Sequence, residues 1–156
     1  MGLVVQKFGG TSVGDTDRIK NVAAKVKAEV DAGNQVVVVV SAMAGVTNRL
    51  VKYCQEITPD YNPEEYDVVV STGEQVTIGL LAMALQAAGV PARSWTGWQV
   101  PVLTDDAASK ARINQIEVAG LQACLAAGMV PVVAGFQGIN DRGRITTLGR
   151  GGSDTS

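Results

Sequence analysis

The sequence predicts an α/β fold with an open, mainly parallel sheet and helices on both faces. Apolar runs typical of strands alternate along the chain with helical patterns, which is the element order of parallel α/β sheets. The run from Val36 to Val40 contains five β-branched residues, as in a central parallel strand covered on both faces. With 156 residues, 46% of them hydrophobic, the chain is long enough to bury an ordinary core.

The individual elements follow from apolar runs and from the residues that begin and end them. Asp15 and Asn62 are candidate helix caps, Pro63 suits the first helical position, and Gly33 and Gly128 suit helix ends. The predicted strands cover residues 3–8, 36–40, 92–95, 100–103, 129–134 and 145–148. The predicted helices run from 15 to 32, from the loop at 41–48 to about 56, from 75 to 88 and from 114 to 127, and another begins at 63.

Two stretches have a less regular pattern. The period over residues 67–70 suits a strand or a helix equally. Residues 135–138 are predicted to form a glycine-rich loop, and residues 140–143 have the composition of a hairpin turn.

The composition excludes several classes of function. The chain has no histidine, which removes Ser-His-Asp and Cys-His catalysis and histidine-based zinc sites. A net charge of −2 provides no basic surface for nucleic acid. No secretory leader is recognisable, and the longest apolar run is too short to cross a bilayer. We therefore expect a cytoplasmic protein with no nucleic-acid or membrane partner, in which Cys54 and Cys124 are reduced.

The stretch from Lys7 to Ser12 has the parts of an anion-binding loop. It follows the first strand and supplies a lysine, the glycine pair Gly9 and Gly10, and the hydroxyl of Thr11. Taken alone, the stretch could equally be a tight strand–helix turn with a surface lysine.

Two further loops, at 41–48 and 149–154, also lie where a strand gives way to a helix. Such loops meet at the carboxyl edge of a parallel sheet, so we expect the three to form one crevice. The P-loop pattern fails because Asp15 stands where its lysine should be, and the dinucleotide fingerprint fails because Asp154 replaces its last glycine. Ser153 and Asp154 predict a helix start with no helix after it, so we expect the chain to stop inside a domain.

Four ordered motifs together resemble the aspartate kinases of the amino acid kinase family. They are Lys7-Phe8-Gly9-Gly10-Thr11-Ser12-Val13, Ser71-Thr72-Gly73-Glu74, Gly135-Phe136-Gln137-Gly138 and Thr147-Leu148-Gly149-Arg150-Gly151-Gly152-Ser153-Asp154. The resemblance implies a carbamate kinase-like fold. It also implies that residues 1–156 are the amino-terminal, substrate-binding part of one kinase domain, without the nucleotide half and the regulatory domains.

The resemblance implies transfer of the γ-phosphoryl group of MgATP to the β-carboxylate of L-aspartate. This is the first step in the synthesis of the aspartate-derived amino acids lysine, threonine and methionine. A carboxylate is already ionised at neutral pH, so the reaction needs no general base and no histidine. The partners implied are L-aspartate and ATP, with Mg²⁺ carried by the nucleotide and no metal held by the protein itself. The full-length form is expected to be a homo-oligomer.

The resemblance also assigns roles to residues. The catalytic residues would be Lys7, which neutralises phosphate charge, and Asp154, which orients that lysine. The phosphate-binding residues would be Lys7, Gly9, Gly10, Thr11 and Ser12. The aspartate-binding residues would be Ser41, Thr47, Glu74, Arg150 and Ser153.

The chemistry of the substrate supports two of these assignments. Arg150 can bind the α-carboxylate with a bidentate fork, and Glu74 can accept hydrogen bonds from the α-ammonium. The alternative for Glu74 is a first-turn glutamate that stabilises its own helix, and for Ser41 a plain hydroxyl at a strand end. Phe136 is as well suited to the core as to a pocket wall.

Two other functions remain open at this level. A kinase for another small acid, such as acetylglutamate, would share the phosphate-binding loop. A catalytically inactive fragment would act at most as an aspartate-binding module.

Overall fold

Strands and helices alternate through most of the computed structural model, which describes residues 2–149. The strands are β1 (Leu3–Phe8), β2 (Gln35–Val40), β3 (Ala92–Trp95), β4 (Val102–Thr104), β5 (Ile113–Ile116), β6 (Val130–Ala134), β7 (Gln137–Ile139) and β8 (Ile145–Thr147). The helices are α1 (Thr16–Asp31), α2 (Val46–Ile57), α3 (Pro63–Val70), α4 (Thr72–Ala87) and α5 (Ala119–Ala126).

The main sheet has four parallel strands in the order β1-β2-β6-β3. The valine run of β2 lies at its centre, where Val38 pairs with Val132 of β6 and Val40 with Ala134. Val38 and Val40 are both fully buried. The predicted α/β class with a mainly parallel sheet is therefore confirmed.

Helices cover both faces of the main sheet. On one face, α1 and α4 contribute side chains such as Val26 and Leu81 to a core that includes Val38. On the other face, Cys124 of α5 packs with Val39 and Val133. Alternate residues of one strand thus enter two different cores, because neighbouring side chains of a strand point to opposite faces.

A second sheet of four strands, in the order β5-β4-β7-β8, stands beside the main one. It is mixed: β4 and β7 are parallel, whereas β5 and β8 are antiparallel to their neighbours. The predicted hairpin at 140–143 is confirmed as the turn between β7 and β8, but the predicted glycine-rich loop at 135–138 was wrong for residues 137 and 138, which belong to β7.

The predicted helix over residues 114–127 was also wrong in its first part. Residues 113–116 form β5, and the helix begins only at Ala119. Pairing with β4 decides the conformation there, since Ile116 pairs with Val102 and packs against the core that contains it. Residues 67–70, which the pattern left open, are the last turns of α3.

The residues predicted to begin or end α1 and α3 lie at the ends of these helices. The Asp15 side chain accepts a hydrogen bond from the Arg18 N–H at 2.8 Å, and Gly33 follows α1 with a positive φ of 90°. The Asn62 side chain accepts from the Glu64 N–H at 2.8 Å, with Pro63 as the first residue of α3. These caps satisfy N–H groups that lack a partner within the helix.

A buried carboxylate joins α3 to the second sheet. Asp67 is fully buried and accepts from the Thr147 hydroxyl of β8 at 2.6 Å and from the Ser109 N–H at 2.9 Å. Burial raises the pKa of Asp67, while these two hydrogen bonds lower it. The link fixes the end of β8, from which the chain continues toward residues 150–156.

Helices α3 and α4 follow one another with Ser71 between them. By length and composition the stretch Pro63–Ala87 is apolar enough to cross a membrane, but half of its most apolar window is buried inside the protein. Burial in the core accounts for this apolar character.

Two glycines of α4 form a matched pair for testing the contact between that helix and the loop after β2. A Cβ on Gly73 would lie 2.8 Å from the Ala42 Cβ, whereas a Cβ on Gly79 would meet no atom within 4 Å. We expect Gly79→Ala to raise the free energy of unfolding by about 1 kcal/mol because alanine favours the helix. We expect Gly73→Ala to lower the free energy of unfolding by about 1–3 kcal/mol, because the new Cβ would overlap the Ala42 side chain and push α4 away from the loop. Urea unfolding measures both, and a stabilising Gly73→Ala would contradict the tight contact.

Candidate functional site

A cavity of about 280 Å³ opens at the carboxyl ends of β1, β2 and β6. Gly10 follows β1, Ser41 follows β2, and Phe136 follows β6. Thr47 comes from the first turn of α2, and Glu74 from the first turn of α4. This is the edge of a parallel sheet where the sequence predicted converging loops.

Backbone hydrogen bonds hold the first two loops together. The Ala44 N–H donates to the Gly10 carbonyl at 3.1 Å, and the Ser41 N–H donates to the Phe8 carbonyl at 3.2 Å. A Cβ on Gly10 would lie 3.0 Å from the Ala42 carbonyl oxygen. Glycine therefore suits position 10, because a side chain there would crowd the backbone of the neighbouring loop.

Glu74 is the buried charge of the site. Its side chain is 2% exposed, and its Oε2 has no hydrogen-bond partner among residues 2–149. Burial raises the pKa of Glu74 from 4.5 to about 7, although the backbone N–H groups of Glu74 and Ala42 and the Gln137 side chain act in the opposite direction. Glu74 is one of the residues that line the cavity, and a buried carboxylate with an unpartnered oxygen is chemically suited to a cationic ligand group.

The cavity lining also includes a residue with a strained backbone. Phe136 lines the cavity and has a positive φ of 72°, which a non-glycine residue rarely adopts. Its carbonyl accepts from the Leu148 N–H at 2.8 Å, so the end of β8 holds this conformation. Of its two alternatives, the pocket wall is the one observed.

The structure brings together four of the predicted site residues and separates others. Gly10, Ser41, Thr47 and Glu74 share the cavity. Thr11 and Ser12 line a neighbouring depression, together with Arg18, Asn21, Val22 and Lys25.

Two further predicted residues, Lys7 and Gly9, are not among the residues that line this cavity. Lys7 is exposed at the end of β1, and Gly9 is exposed beside it, outside the lining of either recess. Arg150, Ser153 and Asp154 lie outside the described residues. The roles of all these residues stay predictions.

Sequence reasoning missed several contributors to the site. Met43, Ala44, Gly45 and Asn48 line the cavity, and Gln137 supports it from behind. Asn48 follows the predicted Thr47 directly, so its position in the loop was a usable signal. The small residues were not recognisable, because their contribution is to let other groups approach.

Known proteins are similar to this chain along its whole length. A family model described as the amino acid kinase family matches residues 2–156. The aspartate kinase Ask_LysC of Stutzerimonas stutzeri is 61% identical over 156 residues, which are 100% of this chain and 38% of that protein. The chain therefore spans well under half the length of this relative.

Solved structures show the same similarity in three dimensions. The aspartate kinase from Synechocystis superposes with a TM-score of 0.82 at 48% identity, over 98% of this chain and 25% of that one. Aspartokinase III of E. coli in complex with aspartate and ADP superposes with a TM-score of 0.81 at 29% identity, over 97% of this chain and 44% of that one.

The raised pKa of Glu74 predicts how a neutral replacement changes stability with pH. Because folding raises this pKa from 4.5 to about 7, the contribution of Glu74 to stability is fully present below pH 4.5 and is lost as the pH rises through 7. Glu74→Gln removes this dependence. The free energy of unfolding of the variant, relative to the original chain, should therefore rise by about 3 kcal/mol between pH 4.5 and 8.

Urea unfolding across this pH range measures the difference. Glu117→Gln is the matched control, because Glu117 is an exposed glutamate. Its difference should stay flat, and a flat difference for Glu74→Gln as well would contradict the burial of an ionisable carboxyl.

Proposed function

The chain belongs to the amino acid kinase family, and on that premise we propose that it is the amino-terminal, aspartate-binding part of an aspartate kinase. The whole enzyme would transfer the γ-phosphoryl group of MgATP to the β-carboxylate of L-aspartate in the cytoplasm. This reaction opens the synthesis of lysine, threonine and methionine. The named relatives, at up to 61% identity, support the assignment.

The observation that carries the proposal is the unpartnered Glu74 oxygen at a small cavity. A buried acceptor without a donor is costly unless a ligand supplies one. The α-ammonium group of an amino acid supplies three donors and a positive charge that offsets the carboxylate. A volume of about 280 Å³ lies at the lower end of the usual range for ligand sites, as expected for a small substrate.

The remaining parts of the site suit phosphoryl transfer to a carboxylate. The β-carboxylate is ionised at neutral pH, so the protein must position it and neutralise the phosphate charge. Lys7 and the loop from Gly9 to Ser12 would hold the phosphates, and Asp154 would orient Lys7. Ser41 and Thr47 would donate to aspartate, while Arg150 and Ser153 would bind its α-carboxylate end.

Mg²⁺ would arrive with the nucleotide phosphates as part of the substrate. Within residues 2–149, no group of three or more acidic or cysteine side chains is placed to hold a metal ion. The E. coli relative was crystallised with aspartate and ADP, which supports ATP as the phosphoryl donor.

An exposed apolar surface beside β1, the edge strand of the main sheet, supports assignment of this chain to a larger domain. Leu3 and Val5 of β1 are 61% and 63% exposed, and their side chains border an apolar groove that reaches α5. An apolar face of this kind normally packs against further protein. We propose that the nucleotide-binding half of the kinase covers it, and that the complete enzyme is a homo-oligomer.

A chimera tests the activity directly. In it, these 156 residues replace the matching segment of the Stutzerimonas stutzeri enzyme. We expect it to form aspartyl phosphate, trapped as the hydroxamate, and we expect Glu74→Gln to lower kcat/KM for aspartate by about 10- to 100-fold because a charge-assisted contact is lost. Glu117→Gln should leave kcat/KM unchanged.

Competition binding separates aspartate from an acetylated substrate. Unlabelled aspartate should displace labelled aspartate from the chimera, whereas acetylglutamate, which has no α-ammonium group, should not. Displacement by acetylglutamate alone would overturn the substrate assignment.

The 156-residue chain by itself should form no aspartyl phosphate, because it spans only 38% of its relative and includes too little of the ATP site. The hydroxamate assay with MgATP and aspartate measures this, with the chimera as the positive control. Turnover by the isolated chain at the rate of the chimera would show that the described loops suffice for catalysis.

A further inference from the structure

Gln137 lies behind the cavity as the first residue of β7, and its side chain is fully buried. Its Oε1 accepts from the Gly97 N–H at 3.0 Å, and its Nε2 donates to the Ser71 carbonyl at 2.8 Å. Ser71 lies three residues before Glu74, and the Gln137 amide is one of the groups that lower the pKa of Glu74. One buried amide therefore joins the loop after β3 to the residue that precedes α4.

The partners of Gln137 allow only one orientation of its amide. If the group were turned over, its NH₂ would face the Gly97 N–H, and its oxygen would face the Ser71 carbonyl. Both contacts would then oppose like groups in a buried place, at the cost of two hydrogen bonds. The Nε2 donor must therefore stay on the side of Ser71, at the start of α4.

The backbone segments around Gln137 are tightly packed. A Cβ on Gly97 would lie 2.3 Å from the Gln137 carbonyl oxygen, so the loop and β7 are already in contact. On the other side, Ser71 directly precedes α4, whose first turn includes Glu74. A rigid group that holds the start of the helix also fixes the position of its first turn, which includes Glu74.

We propose that Gln137 is a positioning residue for recognition of the substrate ammonium group: through its hydrogen bond to the Ser71 carbonyl it holds the first turn of α4 so that Glu74 lines the cavity. The proposal rests on the proposed binding of an amino acid at this site. Gln137 touches no substrate in this scheme and acts only through Glu74.

The balance of forces on Glu74 explains why one amide matters. Burial favours the protonated form, which cannot accept hydrogen bonds at both oxygens from an ammonium group. The groups that counter burial within residues 2–149 are uncharged, namely two backbone N–H groups and the Gln137 side chain. Removal of the one side-chain donor should raise the pKa of Glu74 above 7, by about one pH unit.

The first test follows the Glu74 carboxyl directly, without substrate. In the 156-residue chain, ¹³C NMR should show this carboxyl titrating near pH 7. Gln137→Met, which keeps the length of the side chain and removes its amide, should raise the midpoint by about one pH unit. An unchanged midpoint in a folded Gln137→Met protein would overturn the proposal.

Gln99→Met is the matched control. Gln99 accepts from the Thr96 N–H at 2.9 Å, so this variant loses a hydrogen bond to the same loop that Gln137 contacts. It should leave the Glu74 midpoint unchanged. An equal rise in both variants would attribute the effect to the loop and would also overturn the proposal.

A second measurement needs no variant that might fail to fold. In the unsubstituted chain, the side-chain NH₂ resonances of Gln137 should change with pH at the same midpoint as the Glu74 carboxyl. Gln137 resonances that do not respond to this titration would contradict the link between the Gln137 amide and the Glu74 carboxyl.

Kinetic measurements on the chimera test whether Gln137 affects aspartate recognition through Glu74. Gln137→Met should raise KM for aspartate about fivefold at pH 7 and leave it nearly unchanged at pH 9, where Glu74 is ionised in both proteins, with kcat unaltered. A rise in KM that is equal at both pH values would indicate loss of structure alone and would overturn the proposal. Absence of aspartate binding in the unsubstituted chimera would instead refute the proposed function, while the NMR titration would still decide the link between Gln137 and Glu74.

Discussion

The close contact between the first turn of α4 and the loop after β2 is the constraint on which the rest of the site depends. Gly73 permits it, because the Ala42 side chain occupies the place that a Cβ would need. The contact brings the buried Glu74 to the carboxyl ends of the strands, where the Ala42 backbone N–H lowers the pKa of its carboxyl. Without this approach the carboxylate would reach solvent, its pKa would return toward its ordinary value, and the cavity would lose its acceptor.

The second sheet supports this arrangement from behind. It provides Gln137, which holds the start of α4, and Thr147, whose hydroxyl is bound by the buried Asp67. Gln137 of β7 and Thr147 of β8 are direct partners in the pairing of these two strands. The same ladder therefore connects the cavity side to the strand that leads to residues 150–156, where the remaining charged groups of the proposed site are expected.

The chemistry of the site agrees with a chain that has no histidine. A carboxylate acceptor requires no base, so positioning and charge neutralisation are sufficient. In the proposed function burial would serve the positioning directly, because it excludes water from Glu74 and would strengthen a single ammonium contact. The same burial brings its pKa close to neutrality, so neighbouring hydrogen-bond donors are needed to keep it ionised.

The amino-acid sequence alone determined the α/β class, the valine strand at the centre and the helix caps at Asp15 and Asn62, because periodicity and capping are local properties. Its motifs also pointed to Gly10, Ser41, Thr47 and Glu74. Only the tertiary structure decided that residues 113–116 are a strand, since pairing with β4 overrides the local pattern. It alone showed the burial of Glu74 and the two hydrogen bonds of the Gln137 amide, because these depend on segments that are up to 66 residues apart in the chain.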